Sequence, residues 1–511
     1  MESRSDSKRL AKNTIILYLR TLMMMFIGLY TSRVILHALG INNYGINNVV
    51  GGFVAMFSII SGTLTATTQR YLTCEIGKVD GNPKKMFGVV MNIHIVLSIA
   101  LLLLFETAGI YFLNNGLNIP SERMNAANWT FQFSVFSTLI GIINSPYIGT
   151  IIAHEKMNAF AYISFFDCIA KLLVCYLLYI TPYDRLITFS AFYFIISLSQ
   201  TLIYNYYCRK KFSETRFNIV RDKILYKEMF GFAGMNFIGA LASLLSKQGT
   251  NILINVFYGV ALNAAVGIAN QIQGIATKFV SDFMTALKPQ ITKEYAFGNH
   301  NKSMELAFRG SKFSFYLTLI LACPILIQTP YILEFWLINY PPEAVVFSRL
   351  TIVLTMLVLL SDSLVTVILA TGNLTSTTWW IGGIRLMILP LSYFALILTD
   401  KAYMVIVVQI IIEVSSLFIR LIILNILTQL KFLSTFIRTV LIPILLVTFF
   451  SMSFTYLVHL NVSNTFGGLC ILSILSFIMT SFCILYLGIQ KCERIKLLSI
   501  IKNKLRKEFK Q

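Results

Sequence analysis

Charge is scarce in this chain. Only 13% of its 511 residues are Asp, Glu, Lys or Arg, while 56% are hydrophobic. A soluble globular chain carries about 25% charged residues and about 45–50% apolar ones. A water-soluble fold has no way to hide this much apolar surface, so the solvent for most of the chain is lipid. Acidic residues are scarcer still, 22 against 42 basic ones, which leaves a formal charge of +20. In a soluble protein that excess points to nucleic acid; in a membrane protein it points to cytoplasmic loops and the anionic lipid beneath them. No G-x-x-x-x-G-K-[ST] phosphate loop occurs, and no expected cytoplasmic segment exceeds about 25 residues, which excludes an ATPase domain. Histidine is sparse and scattered (His37, His94, His154, His300, His459), with no metal-ligand spacing. The 8 cysteines contain no C-x-x-C, and none falls in an expected outer loop, so a disulfide scaffold is excluded.

Long apolar runs fill the space that charge leaves. Fourteen are long enough to cross about 30 Å of hydrocarbon as helix. They lie near 13–38, 45–67, 87–113, 127–150, 159–180, 187–207, 229–255, 264–287, 310–336, 347–370, 377–399, 403–427, 438–460 and 467–488. The first is too long for the apolar core of a signal peptide and lacks a small-residue cleavage site after it. The expected fold is therefore an all-α polytopic membrane protein. With the N-terminus placed in the cytoplasm, inner segments hold 31 Lys and Arg and outer connections hold 3, namely Arg123, Arg185 and Lys401. By the positive-inside rule both termini are expected in the cytoplasm.

An internal repeat organises the spans. Thr65-Ala66, Thr73-x-Glu75-x-Gly77 and Lys85-Met86 follow the second span; Thr285-Ala286, Thr292-x-Glu294, Gly298 and Lys302-x-Met304 follow the eighth. The offsets run from 219 to 221, and Leu39-Gly40-Ile41 lies opposite Tyr258-Gly259-Val260, again at 219. Several matches near one offset in equivalent loops argue for duplication of a six-helix unit. Six is even, so both copies enter the membrane in the same sense, as a parallel repeat. The expected divisions are a lobe at 1–207, a basic cytoplasmic linker at 208–228, a second lobe at 229–427, two extra helices at 428–488 and a basic amphipathic tail at 489–511.

Ionised side chains inside spans are costly, about 2.5–3.5 kcal/mol each at the bilayer centre on insertion scales, so each needs a partner, a cavity or a job. Asp167 and Lys171, and Lys278 and Asp282, stand four apart; Glu413 and Arg420 stand seven apart. Such spacings allow local pairing. Arg20, Lys247 and Arg385 have no acid on their own helical face, while Asp362 and Glu106 are the lone acids. Arg33 and Arg349 lie near outer ends, within reach of the interface by snorkelling. Three spans also carry polar stripes: Asn47, Gly51, Ser58, Ser61, Thr65 and Thr68 on the second, Ser243, Lys247, Asn251 and Asn255 on the seventh, and Asn270, Gln273, Thr277 and Ser281 on the eighth. Small residues in such a stripe serve helix packing. Lys, Asn and Gln are too large for that role.

The unit Ser32-Arg33, Leu39-Gly40, Tyr44-Gly45 resembles the first-helix signature of Wzx-type polysaccharide flippases, relatives of MATE exporters and MurJ-type flippases. Fourteen spans in a 6+6+2 arrangement suit the Wzx and MurJ pattern, whereas MATE exporters usually stop at twelve. The resemblance implies a central cavity lined by spans one, two, seven and eight, and a polyprenyl-pyrophosphate-linked oligosaccharide as substrate. Arg20, Arg33, Lys247 and Lys278 are then the cavity cations for pyrophosphate, and Asn47, Asn251, Asn255, Asn270 and Gln273 line it for sugar hydroxyls. Asp282 is the one acid on those four spans, so an anionic substrate is favoured. Asp362 and Asp282 are the candidates for coupling to a proton or Na⁺; no other cofactor is expected. Expected partners are the lipid-linked oligosaccharide, anionic inner-leaflet lipids and other polysaccharide-assembly membrane proteins, with no nucleic acid. The expected location is the bacterial cytoplasmic (inner) membrane. A cation-coupled MATE-type exporter is the alternative transporter. A glycan polymerase or ligase is the alternative enzyme; such families carry large outer loops, and the longest outer connection here is thirteen residues, 114–126. No enzyme activity is expected.

The charge asymmetry gives a direct test. An impermeant thiol reagent added to intact cells is expected to label no native cysteine; labelling of Cys208 or Cys492 from outside inverts the orientation.

Overall fold

The computed structural model describes residues 2–55, 80–154, 156–216, 248–337, 339–371, 374–428 and 432–489, with a few isolated positions between and beyond them; side chains are described from residue 27 onward. Among the described residues the chain is helical, with no strand. Ten helices among the described residues are long and apolar enough to cross a membrane, from Pro83–Gly116 to Phe466–Gly488. These correspond to expected spans three to six and nine to fourteen. The first two expected spans fall on Glu2–Ala55, the eighth on Val260–Ala296, and part of the seventh on the described stretch that ends before Gly259. Val260–Ala296 forms a continuous helix, yet Asn263, Asn270, Gln271 and Gln273 lower its hydropathy below that of the ten. The inner parts of expected spans two and seven, and the amphipathic tail apart from Arg494, lie outside the described residues.

The chain divides into two compact units, one of Met1–Gly267 with Leu337–Pro341, the other of Ile268–Trp336 with Pro342–Gln511. In the first unit, Met124–Ala153 packs along Arg185–Lys211, and Glu2–Ala55 packs on Met157–Ile180. At one end Met124–Ala153 and Arg185–Lys211 share with Pro83–Leu104 a core of Leu72, Phe87, Tyr147, Ile151, Tyr204 and Phe212, all buried. At the opposite end Arg123 binds Asp184 through two guanidinium N–H donors at 2.6 and 3.1 Å. Partial burial pushes the Asp184 carboxyl up, but Arg123 and the amides of Leu186 and Ile187 outweigh that and hold it below its ordinary value. Arg185 donates to the Ala38 carbonyl at 3.0 Å, so two of the three cations expected outside are fixed to backbone or carboxylate.

In the second unit, His300–Leu337 kinks at Gln328, between Pro324 and Pro330. Arg349 donates to the Ile327 carbonyl at 3.2 Å and to Thr329 Oγ1 at 3.3 Å beside that kink. Its charge is thus seated on the bent helix, and snorkelling is not needed. Small hydroxyls join other helices: Ser311 to Ser363 at 2.6 Å, and Thr455 to Ser476 at 3.0 Å. Tyr162, Ile180 and Leu398 are among the large apolar side chains left exposed, as spans facing lipid require.

Two turns repeat. Gly40 breaks Glu2–Ala55 into two helices with φ 75°, and Gly259, 219 positions later, precedes Val260–Ala296 with φ 78°. A residue with a Cβ meets its own carbonyl in that left-handed conformation, so glycine is required at both. Cys208 is fully buried, so a thiol reagent cannot reach it from either side, and orientation is better read from Ser463→Cys and Lys210→Cys at exposed positions.

Gly40→Ala and Gly259→Ala are each expected to lower stability by about 1–2 kcal/mol. Gly141→Ala, in mid-helix with nothing within 4 Å of the added Cβ, should leave it unchanged or slightly raised. Thermal unfolding of the detergent-solubilised protein checks all three.

Candidate functional site

The first unit gathers asparagines. Asn251 and Asn255 are one helical turn apart, and Asn263 follows the Gly259 turn, which folds Val260–Ala296 back so that the three amides meet. Asn255 Nδ2 donates to Asn263 Oδ1 at 2.9 Å, and Asn263 Nδ2 donates to Asn251 Oδ1 at 2.7 Å and to its carbonyl at 2.8 Å. The backbone N–H of Asn118 donates to Asn255 Oδ1 at 2.8 Å. All three side chains are buried. An amide in an apolar interior is tolerated when its donors and acceptors are matched, and a matched network fixes one arrangement of the helices that carry it. Asn251 and Asn255 were read from sequence as cavity lining; the structure seats them inside this network.

Residues 41–55 lie against the same network through glycines. A Cβ on Gly45 would stand 1.8 Å from the Val260 carbonyl oxygen, one on Gly267 would stand 1.8 Å from Asn48 Nδ2, and one on Gly52 would stand 3.1 Å from Gln248 Oε1. The contact face is Gly45, Asn48 and Gly52, so the stripe of Asn47 and Gly51 lies beside it. A Cβ on Gly51 would meet nothing nearer than Asn47 Oδ1, at 3.9 Å, and Asn47 itself is half-buried. Ser58, Ser61 and Thr65 of that stripe lie outside the described residues.

The second unit carries the polar stripe of Val260–Ala296. Ile272, Ala276, Val280 and Met284 are buried, whereas Gly274, Thr277, Lys278 and Ser281 are exposed and Asn270 and Gln273 half-buried. Polar groups exposed in this way suit contact with water or a polar ligand, which hydrocarbon cannot replace for amides, hydroxyls and an ammonium. The structure therefore brings Asn270, Gln273 and Lys278 onto one open face. Arg33 is half-buried and bonded within the protein. Arg20 lies in a helix with its side chain outside the described residues; the same holds for the Asp282 side chain, and Lys247 lies outside them altogether.

The same unit holds a line of alternating charges that spacing rules could not find whole. Arg385 donates to Glu413 Oε2 at 3.0 Å, and Arg420 donates to Glu413 Oε1 at 2.8 Å. Asp362 lies within electrostatic reach of Arg420 and is itself bridged by Lys288 at 2.9 Å. Glu413 and Arg420 are buried, while the Lys288 and Asp362 side chains keep 44% and 34% of their surface. Arg385, which has no acid on its own helix, thus finds Glu413, and Asp362 pairs with Lys288. Glu413 and Arg420 pair at the i+7 spacing, and Lys171 donates to Asp167 at 2.7 Å at the i+4 spacing. No group of three or more His, Cys, Asp or Glu capable of holding a metal occurs among the described residues.

The sequence matches no family profile and no curated protein. Among solved structures the chain is similar to the lipid II flippase MurJ in an inward closed conformation, with a TM-score of 0.68 at 12% identity over 91% of this chain and 98% of that one. It is also similar to an inward-facing multidrug resistance MATE family transporter of the MOP superfamily, with a TM-score of 0.63 at 13% identity over 81% and 99%. The MATE multidrug transporter DinF-BH gives 0.59 at 14% identity over 83% and 97%. At these identities the likeness is one of fold. The chain is an all-helical, multi-pass membrane protein with the fold that the MurJ flippase shares with MATE transporters of the MOP superfamily.

Proposed function

We propose that this protein moves a polyprenyl-pyrophosphate-linked oligosaccharide, the repeat unit of an O-antigen, capsule or exopolysaccharide, from the inner to the outer leaflet of a bacterial cytoplasmic membrane by alternating access. The observation that carries the reading is the open face of Val260–Ala296, with Asn270, Gln273, Thr277, Lys278 and Ser281 on a spanning helix of a flippase-type fold. Amides and hydroxyls suit sugar hydroxyls, and ammonium suits pyrophosphate. On expected spans one, two, seven and eight the basic residues Arg20, Arg33, Lys247 and Lys278 outnumber the single acid Asp282. A site for cationic drugs calls for the opposite balance.

The membrane potential supplies a driving force. A pyrophosphate-linked lipid carries about two negative charges, and each uncompensated charge leaving a negative interior gains about 2.3 kcal/mol per 100 mV. The obstacle is desolvation of the head group at mid-membrane, which Arg20 and Lys247 offset. Lys247→Ala and Arg20→Ala are each expected to block export and leave lipid-linked glycan in the inner leaflet, with the protein still inserted. Lys247→Arg should keep part of the activity, since charge matters here more than bidentate geometry. Lys247→Glu should be worse than Ala. Normal export by Lys247→Glu in a complementation assay overturns the cationic-cavity mechanism.

A second reading, a cation-coupled exporter, is supported by Asp362, whose carboxylate is paired with a cation, the Lys288 ammonium at 2.9 Å. In this mechanism a proton or Na⁺ displaces the Lys288 ammonium during return of the empty carrier. Asp362→Asn is expected to slow turnover without abolishing substrate binding, and Lys288→Gln to make transport respond to lower cation concentrations. Unchanged transport and unchanged response to proton and Na⁺ gradients in both variants, measured in proteoliposomes, removes the coupling role.

A further inference from the structure

Glu106 is the carboxylate that the transport reading leaves unused. It sits in the Pro83–Gly116 span, about 15 Å in from the Gly116 end at 1.5 Å per residue. The helix there widens into a π turn, Phe105–Gly109. Phe105 and Gly109 turn inward against Phe57 and Phe131, leaving the three consecutive residues Glu106, Thr107 and Ala108 exposed. π turns inside spanning helices concentrate at functional positions. Around Glu106 the surface is that of a lipid-facing helix, with Leu103 63% and Tyr111 72% exposed and Trp129 exposed on the neighbouring helix.

Every other spanning carboxylate with a described side chain and a position well inside the membrane has a cation: Asp167 has Lys171, Asp362 has Lys288, and Glu413 has Arg385 and Arg420. Glu106 has Gln132, whose amide donates to Oε2 at 3.2 Å. A polar row continues towards the membrane surface, where Asn114 and Asn128 exchange hydrogen bonds at 3.2 and 3.0 Å. A carboxylate and three amides on one exposed face of a helix pair are what holds a further helix in a membrane, where apolar burial gives no drive.

We propose that this face, formed by residues 103–115 and 128–136, docks a membrane-spanning helix of a different protein, one that brings a Lys or Arg to the level of Glu106. The charge asks for a cation. In a second copy of this chain the cations expected on that side are engaged or, for Lys401, placed in the connection between two spans rather than at the depth of Glu106. Arg123 is held by Asp184, Arg185 by the Ala38 carbonyl and Arg349 by Ile327 and Thr329, and Arg33 is bonded internally. The assignment is independent of the cavity and its substrate.

The experiment places a photo-crosslinking amino acid at Leu103 in the full-length protein, irradiates intact cells and sequences the crosslinked peptides. The same label at Tyr162, exposed on another helix, sets the background. Expected is a discrete adduct whose partner peptide belongs to an apolar span containing Lys or Arg. Glu106→Gln should cut its yield about tenfold or more with protein level and elution volume unchanged, the charge pair being the main attraction in lipid. Glu106→Lys combined with an acidic replacement of the partner's basic residue should restore it. Adducts to lipid alone, to another copy of this chain or to a span without a basic residue overturn the proposal. So does an adduct whose yield Glu106→Gln leaves unchanged.

Discussion

Glu413 lies between two guanidiniums, at 3.0 Å from Arg385 and 2.8 Å from Arg420, in the interior of a membrane protein. The rest of the second unit follows from the rule this contact obeys, that a charge or amide removed from water must be matched by its neighbours. Two helices are tied by it directly, Asp362 lies within electrostatic reach of Arg420 from a third segment, and Lys288 pairs with Asp362 where exposure begins. Removing Glu413 would leave the buried Arg420 and the half-buried Arg385 without the anion between them, which is worse than removing the whole set. The first unit satisfies the same rule with neutral groups, through Asn251, Asn255 and Asn263. The second unit's buried line is matched charge by charge, whereas this cluster of the first unit is matched amide by amide.

These two solutions leave different surfaces open. The matched asparagines are closed to solvent, whereas Asn270, Gln273, Thr277 and Ser281 on the continuing helix stand exposed or half-buried. One helix therefore begins with a buried, matched amide, Asn263, and continues with exposed or half-buried polar residues. That change along Val260–Ala296 is the feature that makes it the candidate for handling a polar head group.

Much of the architecture was legible in the sequence, since lipid imposes its demands residue by residue. Apolar runs located the helices, and the repeat at 219 anticipated the shared turns at Gly40 and Gly259. Pairs on one helix, Asp167 with Lys171 and Glu413 with Arg420, followed from spacing alone. Pairs between helices did not: Lys288 and Asp362 are 74 positions apart, and no periodicity links them. The packing face of residues 41–55 was also hidden. Its signal is the absence of side chains at Gly45 and Gly52, whereas the stripe through Asn47 announces itself by polar atoms. Chemistry is read from what a residue carries, close packing from what it lacks.

The single-residue turns at Gly40 and Gly259 bear on how such a molecule can move. Each joins two helices with no loop to pay out, and behind Gly45 the chains approach until a methyl group would collide with a carbonyl. A helix on one side of such a turn cannot slide along its neighbour without dragging it. Whatever opens this protein on the side of those turns therefore swings stiff helical hairpins rather than sliding single helices past one another.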